Sequence, residues 1–575
     1  MTQNKKIQNK MTQNYGFQHF GTMLDCSRNA VMNVKSIKKW IDITCDLGYN
    51  TLLLYTEDTY EVDENPYFGY MRGRYSQEEL MEIDQYASER GMELIPCIQT
   101  LAHLNAIVRW PAYAEHVDTD DILLAGDEAV YQLIDQMFAA ISRCFTSRTV
   151  NIGMDEAHMI GRGKYYDQHG EHNRYEILLE HLKKVSDIGR KYGFTLIMWS
   201  DMFFRLAGGD YYNSEAEINH SVREEIPDNV KLVYWDYYST QKEHYDRMLA
   251  AHKNLKEDTW FAGGLWSWTG MAPHNGFSMN AADAALKSCR ENGITNVIMT
   301  LWGDNGGECS KFALLPALFY ASEIAKGNTD REEIQKKFME KYGISFEDFM
   351  LLDLPGTPGV SADQICNADK YLFYNDCFTG LMNSTLTGDE NEEYALCAKK
   401  LEQTEKKEPW GYLFETGQAL CEFLSIKACL GIKTREVYTS WKQERTKTVN
   451  AENVSQKDAE DLNMENQVQE TLRSLISDYQ MAVEKLEIFY KKYKTQWFTE
   501  NKPYGFDVQD IRIGGLLTRI RSCQERLQHL YDGEIDVIEE LEEQPLDLAG
   551  NGKQFTRKPM NFNDWSRTVT ANVIA

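Results

Sequence analysis

Residues 149–158 read TVNIGMDEAH, and this stretch decides how the rest of the chain is interpreted. Its first six residues suit a buried strand, and they lead directly into two adjacent carboxylates, Asp155 and Glu156. Cleavage of a glycosidic bond needs a carboxylic acid beside a second group that handles the positive charge developing on the sugar. Because Asp-Glu pairs are also common on solvated surfaces, the meaning of this pair depends on the strands around it.

Apolar runs alternate with longer amphipathic patterns on both sides of this stretch. The predicted strands are residues 22–24, 51–55, 93–98, 149–154, 195–199, 231–235, 261–265 and 296–301. The predicted helices are residues 34–47, 77–90, 128–145, 175–192, 241–255, 281–292 and 311–325. This alternation predicts an α/β fold in which residues 16–326 close into a (β/α)8 TIM barrel. An open doubly wound sheet is the alternative, but it requires a glycine-rich phosphate loop after the first strand, where MLDCSRNA stands.

The residues that end the predicted strands are rich in carboxylates and tryptophans. In chain order they are Asp25 with Arg28; Tyr55 with Glu57 and Asp58; Gln99 with His103; Asp155 with Glu156 and His158; Trp199 with Asp201; Trp235 with Asp236 and Tyr237; Trp266 with Trp268; and Trp302 with Asp304 and Glu308. Active sites of such barrels lie at the carboxyl ends of the strands. A pyranose stacks its C–H faces on aromatic rings and directs its hydroxyls at charged groups. Each tryptophan alone is equally well explained by packing, but the five together favour a sugar site.

The charge and composition of the chain exclude several classes of partner. The 575 residues carry a formal net charge of −27, and an acidic surface of this size repels nucleic acid and anionic lipid. No window approaches the ~20 apolar residues of a membrane span, and the polar leader at residues 1–15 lacks the apolar run of a secretory signal. The twelve cysteines are scattered without a C-x-x-C pair, which favours reduced thiols. We therefore expect a cytoplasmic protein with no nucleic-acid or membrane partner.

The chain changes character near residue 326. Residues 327–575 are predicted to form an all-α C-terminal domain that includes a Pro/Gly-rich connector at residues 354–363. The predicted helices there are residues 391–403, 417–430, 458–494 and 508–541. The two long helices are interpreted as an antiparallel hairpin that packs against the barrel or against a second subunit, so a homodimer is one expected arrangement. The final FNDWSRTVTANVIA is predicted to be a terminal strand.

Several short motifs in residues 15–325 resemble, in the same order, the catalytic barrel of family 20 glycoside hydrolases, the β-N-acetylhexosaminidases. GTMLDCSR is similar to the first-strand segment whose arginine holds sugar hydroxyls, a role that carries over to Arg28. LIPCIQTLAH is similar to the third-strand segment that ends in Pro-Gly-His, with His103 at the histidine. NIGMDEAH resembles the Gly-Gly-Asp-Glu of the family and places Asp155 and Glu156 at its acidic pair.

Three further segments resemble the tryptophan-bearing ends of strands five, six and eight in this family. They read LIMWSD, LVYWDYY and LWGDN. The resemblance implies pocket walls at Trp199, Trp235 and Trp302, with Asp304 as the acid that contacts the outer sugar hydroxyls. Substrate-binding residues are thus expected from most strands of the barrel.

Departures from the family pattern indicate a divergent branch that lacks the α/β domain often found before the barrel. Met154 stands where a glycine is usual, and Leu101-Ala102 replaces the Pro-Gly before the histidine. The end of strand seven reads GGLWSWTG, where the family often carries a Trp-Tyr whose phenol touches the substrate amide. The candidates for that wall are Tyr237, Trp266 and Trp268.

The resemblance implies an exo-acting retaining β-N-acetylhexosaminidase for terminal β-linked GlcNAc, with GalNAc as a second candidate substrate, and it implies no metal or cofactor. Glu156 would protonate the glycosidic oxygen, the substrate's 2-acetamido oxygen would attack the anomeric carbon, and Asp155 would orient the amide. Two anions so close are also expected to raise the proton affinity of one. Because neighbouring side chains of a strand point to opposite faces, this scheme requires a backbone bend at Asp155.

Two other functions are compatible with the same residues. A metal-dependent barrel hydrolase would use His103, Asp155, Glu156 and His158, although their spacing matches neither H-x-H nor H-E-x-x-H. A non-catalytic carbohydrate-binding barrel, with the helical half as an oligomerisation module, is the third hypothesis.

Overall fold

Eight parallel strands close into a barrel within the residues that the computed structural model describes, which are 16–360, 364–404, 406, 408–451, 459–548, 550 and 561–574. The strands are β1 His19–Asp25, β2 Thr51–Glu57, β3 Glu93–Ile98, β4 Thr149–Asn151, β5 Thr195–Trp199, β6 Val230–Trp235, β7 Thr259–Gly264 and β8 Asn296–Leu301. The barrel closes between β8 and β1, where His19 pairs with Asn296 and Leu24 pairs with Leu301. The predicted (β/α)8 barrel is confirmed, and the open sheet is excluded.

The barrel strands are mainly apolar and almost wholly buried because helices cover the outer face of the sheet. Every residue of β2 and of β8 is buried. The helices of this part are Val34–Leu47, Gln77–Glu89, Asn105–Val108, Glu128–Cys144, Lys164–His169, Arg174–Lys191, Asp201–Gly208, His220–Glu225, Lys242–Leu255, Asn275–Glu291 and Leu315–Ala325. In the first of them, the buried residues Ile37, Trp40 and Thr44 recur three and four apart. Gly48, at φ 97°, ends that helix in the left-handed conformation that glycine adopts without strain.

A two-stranded hairpin in the long loop after β3 was not among the predicted strands. It pairs Val117–Thr119 with Ile122–Leu123. The turn between its strands carries Asp121, whose Oδ2 accepts a hydrogen bond of 2.9 Å from the backbone N–H of His103. The hairpin therefore fixes the backbone of a predicted site residue.

The region after the barrel is helical, as predicted. Its α-helices are Arg331–Tyr342, Phe346–Met350, Ala368–Tyr374, Glu390–Gln403, Gly411–Lys427, Leu430–Ala451, Ala459–Glu500, Phe506–Tyr531, Glu539–Glu542 and Trp565–Val569. Short 3-10 helices occur in this region at Leu351–Asp353 and Asn383–Thr385, and in the barrel part at Pro111–His116 and Lys311–Leu314. The long hairpin lies against the barrel of its own chain, where the N–H of Asn33 donates to Glu500 O (3.0 Å) and the N–H of Lys502 to Val31 O (2.7 Å).

Two predictions for this region are wrong. The helix predicted at residues 508–541 ends at Tyr531, because Gly533 adopts a left-handed conformation (φ 72°) and turns the chain. The predicted terminal strand contains a helix instead, since the side chain of Asp564 accepts the N–H of Ser566 and caps a new helical turn. The predicted leader at residues 1–15 and the end of the predicted connector at residues 361–363 lie outside the described residues.

The cysteines and the hydropathy of the helices bear on two further expectations. All twelve cysteines lie in the described part of the chain, and all except the half-buried Cys45 are buried. None of the helices within the described ranges combines the length and the apolar character needed to cross a bilayer.

Candidate active site

The chain bends sharply at the end of β4. Asn151 ends the strand, and its Oδ1 accepts the N–H of Gly153 at 2.8 Å. Gly153, Met154 and Glu156 then adopt left-handed backbone conformations, with φ of 71°, 68° and 53°. A Cβ on Gly153 would lie 1.9 Å from Gln99 Oε1, so this position requires glycine. The bend that the predicted chemistry requires is present, and it breaks the alternation of a strand.

Both carboxylates of the pair line one cavity at the carboxyl ends of the strands. The lining residues are Arg28, His103, Asp155, Glu156, Trp199, Trp235, Tyr237, Tyr238, Trp268, Trp302 and Asp304. All the predicted site residues except Trp266 therefore face the same space.

His103 lies between the two acids. Its Nε2 is 3.2 Å from Asp155 Oδ2 and 3.6 Å from Glu156 Oε2. Burial by itself would lower the pKa of His103, but the contact with Asp155 and the charge of Glu57 together outweigh burial and raise this pKa to about 9. Burial likewise favours protonation of Asp155, yet the charge of His103 and the hydrogen bonds to His103 and Gln99 hold the pKa of Asp155 below its ordinary value. At neutral pH this pair is an imidazolium beside a carboxylate.

A chain of hydrogen bonds holds the other oxygen of Asp155. Gln99 Nε2 donates to Asp155 Oδ1 at 2.7 Å and lies 2.9 Å from the hydroxyl of Tyr55. The Tyr55 hydroxyl in turn donates to Glu57 Oε1 at 3.0 Å. Gln99 Oε1 also accepts the N–H of Met154 at 3.1 Å, so one amide fixes both the bend and the acid. Asp155 is thereby held in a single orientation from two sides.

Glu156 is the more open of the two acids, with a side chain 41% exposed. Its backbone N–H donates to Asp201 Oδ2 at 2.9 Å, and its Oε1 lies 3.6 Å from a guanidinium nitrogen of Arg205. Burial, and then the charge of Asp155, raises the pKa of Asp201 to about 7.

A second charged cluster lies across the cavity, where β1 and β8 meet. Arg28 donates to Glu57 Oε1 through Nε (3.1 Å) and Nη2 (2.8 Å), and its Nη1 reaches Asp304 Oδ1 at 3.4 Å. The side chains of Arg28 and Asp304 are 26% and 39% exposed. This pair presents both donors and acceptors to the cavity, which suits neighbouring hydroxyls.

Aromatic rings form the remaining walls. Trp199 lies 5.9 Å from Trp302 between ring centroids, and Tyr237 stacks on Trp235 at 5.4 Å while its ring meets the edge of Trp268 at 5.5 Å. The indole nitrogens of Trp199 and Trp235 are buried without a hydrogen-bond acceptor among the residues that the structure describes. The walls therefore offer apolar faces for stacking.

Two protein-family models match this chain. The catalytic domain of glycosyl hydrolase family 20 matches residues 17–252, and the glycoside hydrolase 20C C-terminal domain matches residues 347–559. The chain belongs to glycoside hydrolase family 20. The second match also accounts for the helical region, which the sequence motifs left unassigned.

Curated relatives and solved structures of family 20 are similar to parts of this chain. Hexosaminidase D of Bos taurus is 26% identical over 240 residues, which are 39% of this chain and 63% of that protein. Hexosaminidase D of Homo sapiens is 27% identical over 215 residues, 34% of this chain and 40% of that protein. The exo β-N-acetylglucosaminidase of Vibrio harveyi, solved with N-acetylglucosamine, has a TM-score of 0.43 and 15% identity over 59% of this chain and 58% of its own. The chain thus spans less than two thirds of each relative.

Trp266 does not face the cavity of this family 20 protein. It is fully buried behind Trp268, with the two rings 4.3 Å apart, and its Nε1 donates to Tyr237 O at 2.8 Å. The sequence placed both tryptophans at one strand end, but they follow β7, which ends at Gly264, so the strand pattern does not determine which of them faces the cavity. Tyr238, which the prediction omitted, lines the rim instead and is 52% exposed.

Other residues of the site were named among the strand ends in the sequence, but they were not among the predicted catalytic or substrate-binding residues. Gln99, Glu57 and Asp201 each follow a predicted strand, and the structure places them behind the cavity-lining acids and Arg28. Arg205 stands one helical turn after Asp201 and approaches it at 3.4 Å. The signal that could have found them was position at a strand end, which does not by itself distinguish a lining side chain from a supporting one.

Proposed function

We propose that this chain is an exo-acting, retaining β-N-acetylhexosaminidase that releases terminal β-linked GlcNAc or GalNAc through the 2-acetamido group of the substrate. The observation that supports this most directly is that adjacent acids, Asp155 and Glu156, both line one tryptophan-walled cavity. Neighbouring acids do not flank the anomeric carbon from two sides, as the acid and the nucleophile of a two-carboxylate enzyme must. A nucleophile supplied by the substrate removes that requirement.

In this mechanism Asp155 acts as a fixed anion. Its low pKa keeps it ionised at neutral pH, so it accepts the substrate's amide N–H and turns the acetamido oxygen toward the anomeric carbon. As that oxygen forms a bond to the carbon, the positive charge of the resulting oxazolinium develops beside the carboxylate. His103 and Gln99 hold Asp155 in place for this role.

Glu156 moves the proton in both steps. As the bond between the anomeric carbon and the glycosidic oxygen breaks, Glu156 transfers its proton to that oxygen, and the alcohol leaves. Glu156 then takes a proton from the water that attacks the anomeric carbon and opens the oxazolinium, which restores the acetamido group and the acid. Two displacements at one carbon give a product with retained configuration.

The opposite end of the cavity would bind the terminal sugar. Arg28 and Asp304 are placed to hydrogen-bond its outer hydroxyls, and the rings of Trp199, Trp235 and Trp302 to stack on its faces.

The test is hydrolysis of an aryl β-N-acetylglucosaminide beside the matching aryl β-glucoside, with the galacto-configured hexosaminide as a third substrate. The acetamido substrates should be cleaved and the glucoside should not, because it lacks the nucleophile. Equal turnover of the first two would contradict the proposal. Binding of GlcNAc in calorimetry without turnover of either hexosaminide would favour the non-catalytic barrel.

No specific observation favours the metal-dependent alternative. His103 is engaged by both acids, and His158 is not among the cavity-lining residues. Across the described ranges, no group of three or more His, Cys, Asp and Glu side chains converges in a way that could hold a metal ion.

A further inference from the structure

The loop after β8 carries Asp304 and Trp302 into the cavity. This strand-eight loop comprises residues 302–308 and reads WGDNGGE. Asn305, Gly306 and Gly307 take left-handed conformations in succession, with φ of 43°, 124° and 63°. Within the loop the N–H of Gly307 donates to Gly303 O at 2.7 Å, and further contacts to the loop come from outside it.

The barrel holds the start of the strand-eight loop. The N–H of Gly303 donates to Asp25 Oδ2 at 2.8 Å. The carbonyl of Trp302 accepts from the hydroxyl of Ser267 at 2.7 Å and from the buried ammonium of Lys311. These contacts come from the ends of β1 and β7 and from the segment after the loop.

The helical region holds the end of the loop through a buried ionic cluster. Glu308 Oε2 lies 2.7 Å from Lys370 Nζ, and Glu308 Oε1 lies 3.0 Å from Arg512 Nη1. The three side chains are 2%, 0% and 11% exposed. In the sequence Glu308 stands at the same strand end as Asp304, but in the structure its side chain faces the helices. Breaking a buried, paired charge is costly, so this contact is a strong anchor.

The same two cations also hold the carbonyl of Asn305, the residue after Asp304. Lys370 Nζ and Arg512 Nη1 donate to Asn305 O at 3.1 and 2.9 Å. Gln509 Nε2 donates to Gly306 O at 3.1 Å. The helices Ala368–Tyr374 and Phe506–Tyr531 therefore fix the backbone one residue after Asp304.

We propose that the helical region is a positioning part of the active site, in which Arg512 and Lys370 set the place of the Asp304 carboxylate in the cavity. The inference rests on the proposed function, since it assigns Asp304 to the outer sugar hydroxyls. Without the anchor, the end of the strand-eight loop is released, and Asp304 loses its alignment with Arg28 and the sugar. The expected defect is in binding of the terminal sugar, with the acid pair left intact.

The test compares Arg512→Gln with Arg519→Gln, a matched control in the same helix. Arg519 stands two turns further along and pairs with Asp376 at 2.6 Å, away from the strand-eight loop. On an aryl β-N-acetylglucosaminide, Arg512→Gln should raise KM by about tenfold with little change in kcat, as expected when a remote change misplaces a binding group. Arg519→Gln should leave KM within about twofold, and Arg512→Lys should recover part of the loss.

A double-mutant cycle with Asp304→Asn separates positioning from general destabilisation. The effect of Asp304→Asn on KM should shrink in the Arg512→Gln background and stay full in the Arg519→Gln background, since coupling without direct contact requires a shared element. Additive effects of Arg512→Gln and Asp304→Asn would overturn the proposal.

Hydrogen exchange gives a reading that does not depend on activity. Amides of residues 303–308 should exchange faster in Arg512→Gln and at the wild-type rate in Arg519→Gln. Unchanged exchange in both variants would also overturn the anchor. Absence of turnover in the wild-type protein would contradict the proposed function, while the exchange result would still decide whether the helices hold the loop.

Discussion

The ends of β4 and β8 both supply carboxylates to the cavity, but different parts of the chain hold them. Asp155 and Glu156 are fixed by barrel residues on neighbouring strand ends: Gln99, His103 and Asp201. Asp304 is fixed at one side by the barrel and at the other by Arg512 and Lys370 of the helical region. The comparison separates the group that would perform the chemistry from the group that would recognise the sugar.

The largest effect is expected from a substitution in the acid pair at the end of β4. Glu156→Gln removes the proton donor and should lower kcat by about 10³-fold on a hexosaminide with a poor leaving group. A substrate with an acidic phenol as leaving group needs less protonation and should lose less. Steady-state kinetics on both substrates checks this, and equal losses on the two would reject the role of Glu156 as acid.

The second-largest effect is expected for Asp155→Asn, which should lower kcat by about 10²-fold with little change in KM. The amide side chain is nearly isosteric, but it brings no negative charge to the developing oxazolinium. The measurement is kcat on an aryl hexosaminide, with circular dichroism to verify the fold. A variant with nearly wild-type kcat would assign the stabilising charge elsewhere.

The β8 side should show a smaller effect of a different kind. Asp304→Asn keeps the size of the side chain and removes a charged acceptor, so KM should rise about tenfold while kcat changes by a few-fold at most. Kinetics on gluco- and galacto-configured hexosaminides measures this. If kcat falls as steeply as in the β4 variants, the division between chemistry and recognition is wrong.

The smallest expected effect is on the stability of the fold, and it should decrease as pH rises. Because the pKa of His103 is raised from 6.5 to about 9 in the folded protein, its pairing stabilises the fold fully below pH 6.5, and this contribution is lost as pH rises through 9. His103→Gln should therefore cost on the order of 1–3 kcal/mol at pH 6 and progressively less toward pH 9.5.

The control for that measurement is His181, a buried histidine whose pKa is lowered by burial to about 4. A lowered pKa destabilises the fold as pH falls, so the effect of His181→Gln should be constant between pH 7 and 9.5. The measurement is the thermal stability of the His103→Gln and His181→Gln variants across this pH range. A pH-independent cost for His103→Gln would contradict the ion pair.

The sequence predicted the barrel well because its signals are local. Strand 93–98 and helix 34–47 appear with nearly the predicted bounds, since hydrophobic period and a following glycine determine such elements. Position at a strand end also identified Asp155, Glu156 and Arg28 as neighbours in space.

What the sequence did not predict depends on long-range contacts. The bend at residues 152–156 rests on Gln99, which reaches it from a neighbouring strand. The direction of Glu308 depends on Lys370 and Arg512, which follow it by 62 and 204 positions. Local periodicity carries no information about such partners.

The pairing of β8 with β1 has a consequence for how binding arises during synthesis. Arg28 and Asp304 are 276 positions apart in the chain and meet because the last strand closes on the first. A nascent chain that has emerged as far as β7 already contains the acidic pair, yet it has no ion pair for the outer hydroxyls. Affinity for a terminal hexosamine would therefore report that the barrel is complete.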